Sequence, residues 1–212
     1  MPKQTFTNLD GERQSQIMTA ALDEFSSYTY AEASTNRICK NAGIAKGSFY
    51  QYFEDKLDLY VYLLTQSTGV KMAIFGETLK NLDNLTFIEQ IRALYLCGIE
   101  FAIQNPKYSN LAQKFAHEKN DHVKQSVLKG NNPKAYSFYE TLIEKAKEKG
   151  TVKLSINTRA LALLIVALND AVLDYMIDHY ESLNFSADQA SILEFVDLEL
   201  EILKLGIDNV TN

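Results

Sequence analysis

Apolar residues recur along most of the chain at the three- and four-residue spacing of an amphipathic helix. In the first such segment, Ile17, Ala21 and Phe25 are spaced by four, and Met18 and Leu22 lie beside them on the same face. This periodicity predicts an α-helix with one buried side. No segment of the sequence shows the strict alternation of apolar and polar residues that is typical of a half-buried strand. The pattern therefore predicts an all-α fold.

Short helices are predicted to follow the first one. Ser34 is a suitable N-cap for a helix that Gly43 ends, because glycine adopts the left-handed conformation at little cost. After a tight turn, the next helix covers about Lys46 to Tyr52. Ala45 stands at its N-cap position and offers no side-chain acceptor, so this helix is expected to begin less firmly.

Longer helices are predicted for the rest of the chain, which has only three prolines and nine glycines among its 212 residues. The first covers Lys56–Leu79, and the second is capped by Thr86 and ends at Ile103. The third has Pro106 in its first turn, and the fourth ends at Gly150. The last two cover Thr158–Glu181 and Ala187–Leu205. The segment LKGNNPKA is predicted to be a loop, since glycine, asparagine and proline together are typical of turns. The change from short to long helices predicts two domains, residues 1–55 and 56–212.

Composition limits the classes of function. The formal net charge of −6 argues against a protein that binds nucleic acid over its whole surface. The N-terminus has no apolar signal segment, and polar residues interrupt the most apolar stretch, Leu161–Ile177, so we predict a cytoplasmic protein without a membrane span. Cys39 and Cys97 are predicted to be buried, reduced thiols.

Residues 33–53 differ from the acidic remainder. They include Arg37, Lys40 and Lys46 and no carboxylate, which suits an anionic partner such as the phosphates of DNA. Cys39 is small enough for two helices to cross, and Gly43 supplies the tight turn between them. This arrangement is typical of a helix-turn-helix, whose second helix enters the major groove. Many helix pairs have the same spacing, so two packed helices without a role in DNA binding are an alternative at this point.

Residues 17–64 resemble the DNA-binding domain of the TetR/AcrR family of transcriptional regulators. The resemblance covers about a quarter of the chain and rests on Ala20-Ala21, Phe25, Ser34-Thr35, Ala42-Gly43-Ile44, Lys46 to Tyr50, Tyr52-Phe53, Lys56 and Leu59. It implies an N-terminal three-helix helix-turn-helix domain joined to a larger helical domain for ligand binding and dimerisation. No nucleophile–base pair, phosphate loop or pair of carboxylates stands out, so the sequence predicts neither an enzyme nor a cofactor.

The resemblance also implies roles for residues of the helix-turn-helix. Thr35, Tyr50, Tyr52 and Lys56 resemble family residues that contact backbone phosphates. Lys46, Gly47 and Ser48 resemble the head of the recognition helix, where family members approach base edges. The predicted DNA-binding set is Thr35, Asn36, Arg37, Lys46, Gly47, Ser48, Tyr50, Gln51, Tyr52 and Lys56. A solvated surface position is an equally good interpretation for Arg37 and Gln51.

Two sets of residues are predicted in the larger domain. Aromatic and polar residues at core-like positions predict a ligand pocket formed by Tyr95, Phe101, Phe115, Tyr136, Tyr139 and Asn169, although plain core packing is an alternative for each. Broad apolar stripes on the last two helices predict a homodimer interface formed by Leu168, Val172, Tyr175, Phe195, Leu198 and Ile202. The sequence leaves open whether Asn169 and Asp170 face the ligand or the partner subunit.

No metal site is predicted, because His117, Glu118 and His122 do not have the spacing of a compact ligand set. The sequence does not identify the inducer, the operator or the regulated genes, and it does not distinguish repression from activation. The favoured interpretation is a ligand-responsive repressor that binds a palindromic operator as a dimer and is released by a small-molecule inducer. The alternative is an all-α small-molecule-binding or interaction protein with the same fold that does not repress DNA.

Overall fold

The computed structural model describes residues 1–80, 82, 84–179 and 184–207. Every regular element within these residues is an α-helix, which confirms the predicted all-α fold. The helices are α1 (Gln4–Thr7), α2 (Gly11–Ser27), α3 (Thr35–Asn41), α4 (Lys46–Tyr52), α5 (Lys56–Lys80), α6 (Phe87–Gln104), α7 (Pro106–Ala116), α8 (Asp121–Glu148), α9 (Thr158–His179) and α10 (Gln189–Ile207).

The short helices begin and end where local signals predict. Ser34 caps α3, its hydroxyl accepting a hydrogen bond from the backbone N–H of Arg37 at 3.4 Å. Gly43 follows α3 with φ at 61°, the left-handed conformation that ends a helix. Ala45 precedes α4 and makes no side-chain cap hydrogen bond, as its methyl group dictates.

The Gly-Asn-Asn-Pro segment is helical, so the predicted loop there is wrong. Helix α8 passes through it with Pro133 in its interior. An interior proline removes one hydrogen bond of the helix and costs about 3 kcal/mol. Buried apolar residues on both sides offset this cost: Val123 and Val127 lie in one core, and Ile143 lies in another. Local turn preference is therefore overridden by burial at both ends of the same helix.

Other helix ends differ only slightly from the prediction. Helix α1 was not predicted, because four residues are too few to show a period. Helix α10 begins at Gln189 rather than at Ala187. The predicted end of the ninth helix at Glu181 lies outside the described residues.

Contacts divide the chain into two compact units. Unit 1 comprises Met1–Val70 and Asn105–Asn131, and unit 2 comprises Lys71–Gln104 and Asn132–Asn212. Each unit has an apolar core of its own. Unit 1 extends beyond the predicted boundary at residue 55, because the start of α5, helix α7 and the start of α8 share its core. The division at residue 55 concerns the segment that would contact DNA, and it stays a prediction.

Helix α9 contains the most apolar stretch of the sequence. Leu161, Ala162 and Ile165 are buried in the core of unit 2, whereas Leu163 and Leu164 are exposed. Neither α9 nor any other helix in the described part of the chain is long and apolar enough to cross a membrane. Both cysteines are free and buried, as predicted.

Candidate nucleic-acid interface

The turn between α3 and α4 is fixed by backbone and side-chain hydrogen bonds. The N–H of Ile44 donates to the carbonyl of Cys39 at 3.0 Å, closing the C-terminus of α3 around the left-handed Gly43. The guanidinium of Arg13 on α2 donates to the carbonyls of Ala42 at 3.2 Å and Gly43 at 2.8 Å. Arg13 therefore holds the turn that sets the angle between the two short helices.

One side of α4 is anchored in the core of unit 1. Phe49 and Phe53 are fully buried, with ring centroids 5.8 Å apart. Cys39 of α3 is also buried, and burial raises the pKa of its thiol, although the charge of nearby Lys46 acts in the opposite direction. A thiol that stays protonated is a poor nucleophile, so Cys39 acts here as a small packing residue.

The opposite side of α4 faces outward. Tyr50 is 46% exposed, while Ser48 and Tyr52 at the edges are half-buried. The exposed residues follow the i, i+1, i+4, i+5 spacing of a single helix face. They are Lys46, Gly47, Tyr50 and Gln51. The helix thus presents a cation, a position without a side chain, a phenol and an amide together.

Helix α3 presents a second polar surface. Asn36 and Lys40 are exposed, and Thr35 in its first turn is half-buried. Hydroxyl, amide and ammonium groups are the usual donors to DNA phosphates. Of the predicted DNA-binding residues, eight remain suited to this role, and the other two, Arg37 and Lys56, have internal partners described next.

Arg37 forms an internal ion pair. Its Nε donates to both carboxylate oxygens of Glu24, at 2.9 and 3.0 Å, and its Nη2 donates to the carbonyl of Glu32 at 2.9 Å. Its guanidinium also lies 4.2 Å above the ring of Tyr28. The hydrogen bond to Glu24 raises the pKa of Arg37. These contacts give Arg37 a structural role, and its contact with DNA stays a prediction.

Lys56 also has internal partners. Its ammonium donates to the carbonyls of Tyr30 at 2.6 Å, Ala31 at 3.3 Å and Ala33 at 3.0 Å. A lysine has three N–H donors, so these carbonyls use all of them. Burial lowers the pKa of Lys56. The structure therefore assigns Lys56 to the connection between α2 and α3, and a phosphate contact would require breaking these bonds.

The N-terminal segment closes the other end of α4. The backbone N–H of Lys3 donates to the carbonyl of Tyr52 at 2.8 Å, and its ammonium donates to the carbonyl of Tyr50 at 2.9 Å. The hydroxyl of Thr5 donates to the carbonyl of Gln51. The last carbonyls of a helix have no partner within it, so these bonds complete α4.

We expect Lys3→Met to loosen the last turn of α4. The variant loses the hydrogen bond to Tyr50 and the ion pair with Glu54, at 2.9 Å each, which together should cost roughly 0.5–1 kcal/mol because water screens both groups. Hydrogen exchange should speed up at the amides of Tyr50–Phe53 and stay unchanged in α2. Lys119→Met, at another exposed position, serves as the control. Equal exchange in the two variants would contradict the assignment.

Sequence reasoning missed Glu24, although a signal for it exists. Glu24 follows Ala21 by three residues and Ile17 by seven, which places a carboxylate on the apolar face of α2. It is only 3% exposed, and it also accepts a hydrogen bond from the backbone N–H of Ser34 at 2.7 Å. A buried carboxylate requires such partners. Arg13 and Lys3 gave no comparable signal, because their acceptors are backbone carbonyls distant in sequence.

In unit 2, part of the predicted pocket is brought together. The amide Nδ2 of Asn169 donates to the hydroxyl of Tyr139 at 3.2 Å and to the carbonyl of Ile165 at 2.9 Å. Burial raises the pKa of Tyr95, and the nearby groups that add to the rise include the phenol of Tyr139. Tyr139 and Asn169 are therefore in contact inside unit 2, and Tyr95 packs against the same core.

The other predicted pocket residues are placed differently. Phe115 packs against the core of unit 1, so it does not belong with Tyr139. The reason is that α7 packs with the N-terminal segment. The spacing of its aromatic residues does not predict this long-range contact. Tyr136 is half-buried, and the guanidinium carbon of Arg159 lies 4.4 Å from the centroid of its ring. Phe101 is half-buried in α6.

Charged groups that were not predicted lie beside this polar cluster. Oε2 of Glu199 is buried without a hydrogen-bond partner among the described residues, and burial raises the pKa of this carboxyl. The ammonium of Lys71 lies 5.2 Å from the ring centroid of Phe75, and burial lowers its pKa. A buried acceptor without a partner is costly, so this part of unit 2 is suited to a ligand that donates a hydrogen bond.

The predicted dimer interface is revised in part. Val172 is buried in the core of unit 2, and Leu168 is half-buried against the same core. The ring of Tyr175 stacks on that of Phe195 within the chain, with centroids 4.0 Å apart. Val172 therefore contributes to the core of its own chain. The error arises because α9 is apolar on more than one side, so its sequence does not separate the buried face from the exposed one.

Leu198 and Ile202 are exposed, as a contact with a second chain requires. Their side chains are 57% and 73% exposed, and Leu205 continues the same apolar surface of α10. Exposed leucines on α9, namely Leu163 and Leu164, were not among the predicted residues. Contiguous exposed apolar side chains commonly mark an interaction surface.

The described residues contain no group of three or more histidine, cysteine, aspartate or glutamate side chains placed to hold a metal ion. Of the residues considered for such a site, His117 has its Nδ1 2.8 Å from the carbonyl of Gln113. Glu118 accepts a hydrogen bond from the N–H of Asn120 at 2.8 Å. These contacts are those of a polar surface around the end of α7.

Comparison with known proteins supports the DNA-binding interpretation. Residues 17–63 match the family model of bacterial regulatory proteins, tetR family. A TetR family transcriptional regulator from Chloroflexus aurantiacus is 26% identical, with 99% of each chain covered and a TM-score of 0.59. The regulator FadR from Bacillus subtilis in complex with stearoyl-CoA is 19% identical, covering 86% of this chain and 96% of that one, with a TM-score of 0.69.

SmeT, the repressor of a multidrug efflux pump of Stenotrophomonas maltophilia, is 15% identical and covers 97% of this chain and 94% of its own, with a TM-score of 0.66. At such identities FadR and SmeT show a shared fold. The family model matches the segment in which α3 and α4 form the helix-turn-helix, with its polar face outward. Residues 17–63 therefore form a DNA-binding domain of the TetR family, and the chain is a transcriptional regulator.

Proposed function

We propose that this regulator is a repressor that binds an operator through unit 1 and releases it when a small molecule binds unit 2. The observation that carries the proposal is the two-sided character of α4: Phe49 and Phe53 anchor it, while Lys46 and Tyr50 face outward. SmeT, which has the same fold, is a repressor. Because bacterial DNA lies in the cytoplasm, the proposed role places the chain there.

Each exposed group has a proposed task on DNA. Lys46 stands at the N-terminus of α4 and donates to guanine O6 or N7 in the major groove. Gly47 allows the backbone to approach the bases closely. Tyr50 donates its phenol to a phosphate. Ser48, Gln51, Tyr52, Thr35 and Asn36 complete the proposed contact surface.

Binding as a homodimer follows from the exposed apolar side chains of unit 2. We place Leu198, Ile202 and Leu205 of α10 against the same surface of a second copy, with Leu163 and Leu164 of α9 beside them. A twofold axis through this surface would present two recognition helices to the half-sites of a palindromic operator.

The inducer is proposed to bind near Tyr95, Tyr139 and Asn169. These groups lie inside unit 2, and the carboxyl of Glu199, whose buried Oε2 has no hydrogen-bond partner among the described residues, raises the pKa of Tyr95 in the same unit, as does Asp170. FadR from Bacillus subtilis binds stearoyl-CoA with the same fold. Release of DNA requires the ligand to favour the state that does not bind DNA, typically by about 1–3 kcal/mol.

Fluorescence anisotropy with DNA from upstream of its own gene tests the function. Lys46→Gln should weaken operator binding by about 1–3 kcal/mol, change the preferred base at its contact and reduce the dependence on salt. Lys119→Gln, at an exposed position outside the interface, should bind as the unaltered protein does. Absence of salt-sensitive, sequence-selective binding would support the alternative, a protein of this fold that does not act on DNA.

A further inference from the structure

Helix α4 is short for an element that must keep a fixed orientation. It has seven residues, and Ala45 gives it no side-chain cap. Isolated helices shorter than about 12–15 residues are marginal in water, so α4 depends on contacts from outside itself. Donors to the backbone at both of its ends come from residues 3–13. These residues precede the segment that matches the family model, residues 17–63.

Arg13 holds the backbone that leads into α4. Its guanidinium donates to the carbonyls of Ala42 and Gly43, at 3.2 and 2.8 Å. These carbonyls follow α3, where a helix leaves its last acceptors without partners. The guanidinium is fixed in turn by Gln16, whose Oε1 accepts a hydrogen bond from Nη1 at 2.8 Å. Because the planar fork of donors binds two adjacent carbonyls at once, it restricts rotation of the turn.

The N-terminal segment also holds the last turn of α4. Helix α1 packs against α4, and the ring of the fully buried Phe6 lies 4.9 Å from that of Phe53 between their centroids. The hydroxyl of Thr5, which precedes Phe6, donates to the carbonyl of Gln51, beside the bonds from Lys3. An apolar contact therefore fixes α1 under the end of α4, and polar donors bind the carbonyls there.

We propose that Arg13 and Thr5 are positioning residues for the recognition helix, which hold α4 in the orientation that binds DNA without contacting DNA themselves. The inference rests on the proposed function, because it concerns the helix to which that proposal assigns the operator contacts. A helix that is ordered before it binds loses less conformational entropy on binding, so its affinity is higher. Loss of either residue should therefore weaken operator binding while every proposed DNA contact remains in place.

Thr5→Val tests the hold on the last turn of α4. Valine has nearly the same shape without the hydroxyl, and the side chain is exposed. Thr7→Val is the matched control, because the hydroxyl of Thr7 donates to the carbonyl of Gln4 at 3.0 Å, within α1 itself. We expect Thr5→Val to weaken operator binding about two- to tenfold, the effect of one hydrogen bond, and Thr7→Val to leave it unchanged. Equal affinities in the two variants would overturn the role of Thr5.

Arg13→Lys tests the hold on the turn. Lysine lacks the planar fork of donors but keeps the charge, so the electrostatic attraction to DNA is preserved. Gln14→Met is the control, because Gln14 donates to the carbonyls of Thr7 and Leu9, at 3.3 and 2.8 Å, and not to the turn. Arg13→Lys should weaken operator binding about two- to tenfold, and Gln14→Met should bind as the unaltered protein does. Equal affinities here would overturn the role of Arg13.

Hydrogen exchange distinguishes positioning from a direct contact with DNA. In the free protein, the amides of residues 49–53 should exchange faster in Thr5→Val and Arg13→Lys than in the two controls. In the DNA complex, all four variants should protect these amides equally. A stoichiometric titration counts the molecules able to bind, so a partly unfolded variant is recognised and its affinity corrected. Weaker binding with unchanged exchange in the free protein would show that the two residues contact DNA themselves, which contradicts the proposal.

Operator binding by the unaltered protein separates this inference from the proposed function. Absence of sequence-selective binding would contradict the repressor proposal, and the exchange rates of α4 in the free variants would still decide whether Thr5 and Arg13 hold the helix. Selective binding by the unaltered protein, together with equal affinity in all four variants, would support the DNA-binding function and contradict the positioning role.

Discussion

Glu24→Ala is expected to lower the free energy of unfolding by about 2–3 kcal/mol, which is large against the 5–15 kcal/mol of a typical domain. The carboxylate is buried and joins α2 to the first turn of α3 through Arg37 and the N–H of Ser34. Its removal leaves the guanidinium without its counter-charge and the N–H without its acceptor. Urea unfolding followed by circular dichroism measures the loss.

The neighbouring Asp23 provides a matched control. Asp23 forms an ion pair with Lys107 of α7, but both side chains are exposed. Exposed ion pairs contribute only about 0–1 kcal/mol, because water and salt screen them. Asp23→Ala should therefore have little effect, and its small loss should shrink further in 1 M salt. Equal losses for the two variants would show that burial of Glu24 does not determine its contribution.

The elements of the helix-turn-helix could be predicted because their signals are local. Ser34 caps α3, Gly43 adopts positive φ, and the range Lys46–Tyr52 agrees with α4. Each feature depends on a residue type and its immediate neighbours. Helix α8 is the counter-example. Pro133 is a strong local signal for a loop, but the segment is helical because apolar residues on both sides of it are buried.

The roles of the cations could not be predicted to the same extent. From the sequence alone, Arg37, Lys46 and Lys56 are all suited to contact a DNA phosphate. The structure separates them. Arg37 pairs with Glu24, and Lys56 donates to three backbone carbonyls, whereas Lys46 is exposed at the start of α4. Long side chains reach partners distant in sequence, so charge alone does not identify a contact with DNA.

The interior of unit 2 shows the same limit. Asn169 was recognisable as a polar residue within the most apolar stretch, and it does meet Tyr139. Phe115 had an equally suitable aromatic ring, but its helix packs into unit 1. A polar residue in an apolar run requires a partner wherever it folds. An aromatic residue fits any core, so its spacing does not indicate which one.

Phe49 and Tyr50 are adjacent aromatic residues for which we expect opposite effects of alanine substitution. Phe49 is fully buried beneath α4, so Phe49→Ala should destabilise the protein by about 3–5 kcal/mol. Tyr50 is nearly half exposed and touches Phe49 only edge-on, with centroids 5.2 Å apart. Tyr50→Ala should therefore change stability by only about 0.5 kcal/mol.

Among folded molecules, a substitution of Tyr50 should weaken operator binding more than a substitution of Phe49. Tyr50→Ala removes a proposed phosphate donor, so it should weaken binding by about 1 kcal/mol across all sequences, leaving base preference intact. Phe49→Leu, which keeps an apolar side chain in the core, should bind nearly as the unaltered protein does at temperatures where it stays folded. Anisotropy and thermal unfolding on the same samples measure both properties. A folded Tyr50→Ala variant with unchanged affinity would remove Tyr50 from the interface, because the outward face of α4 would then not touch DNA at its centre.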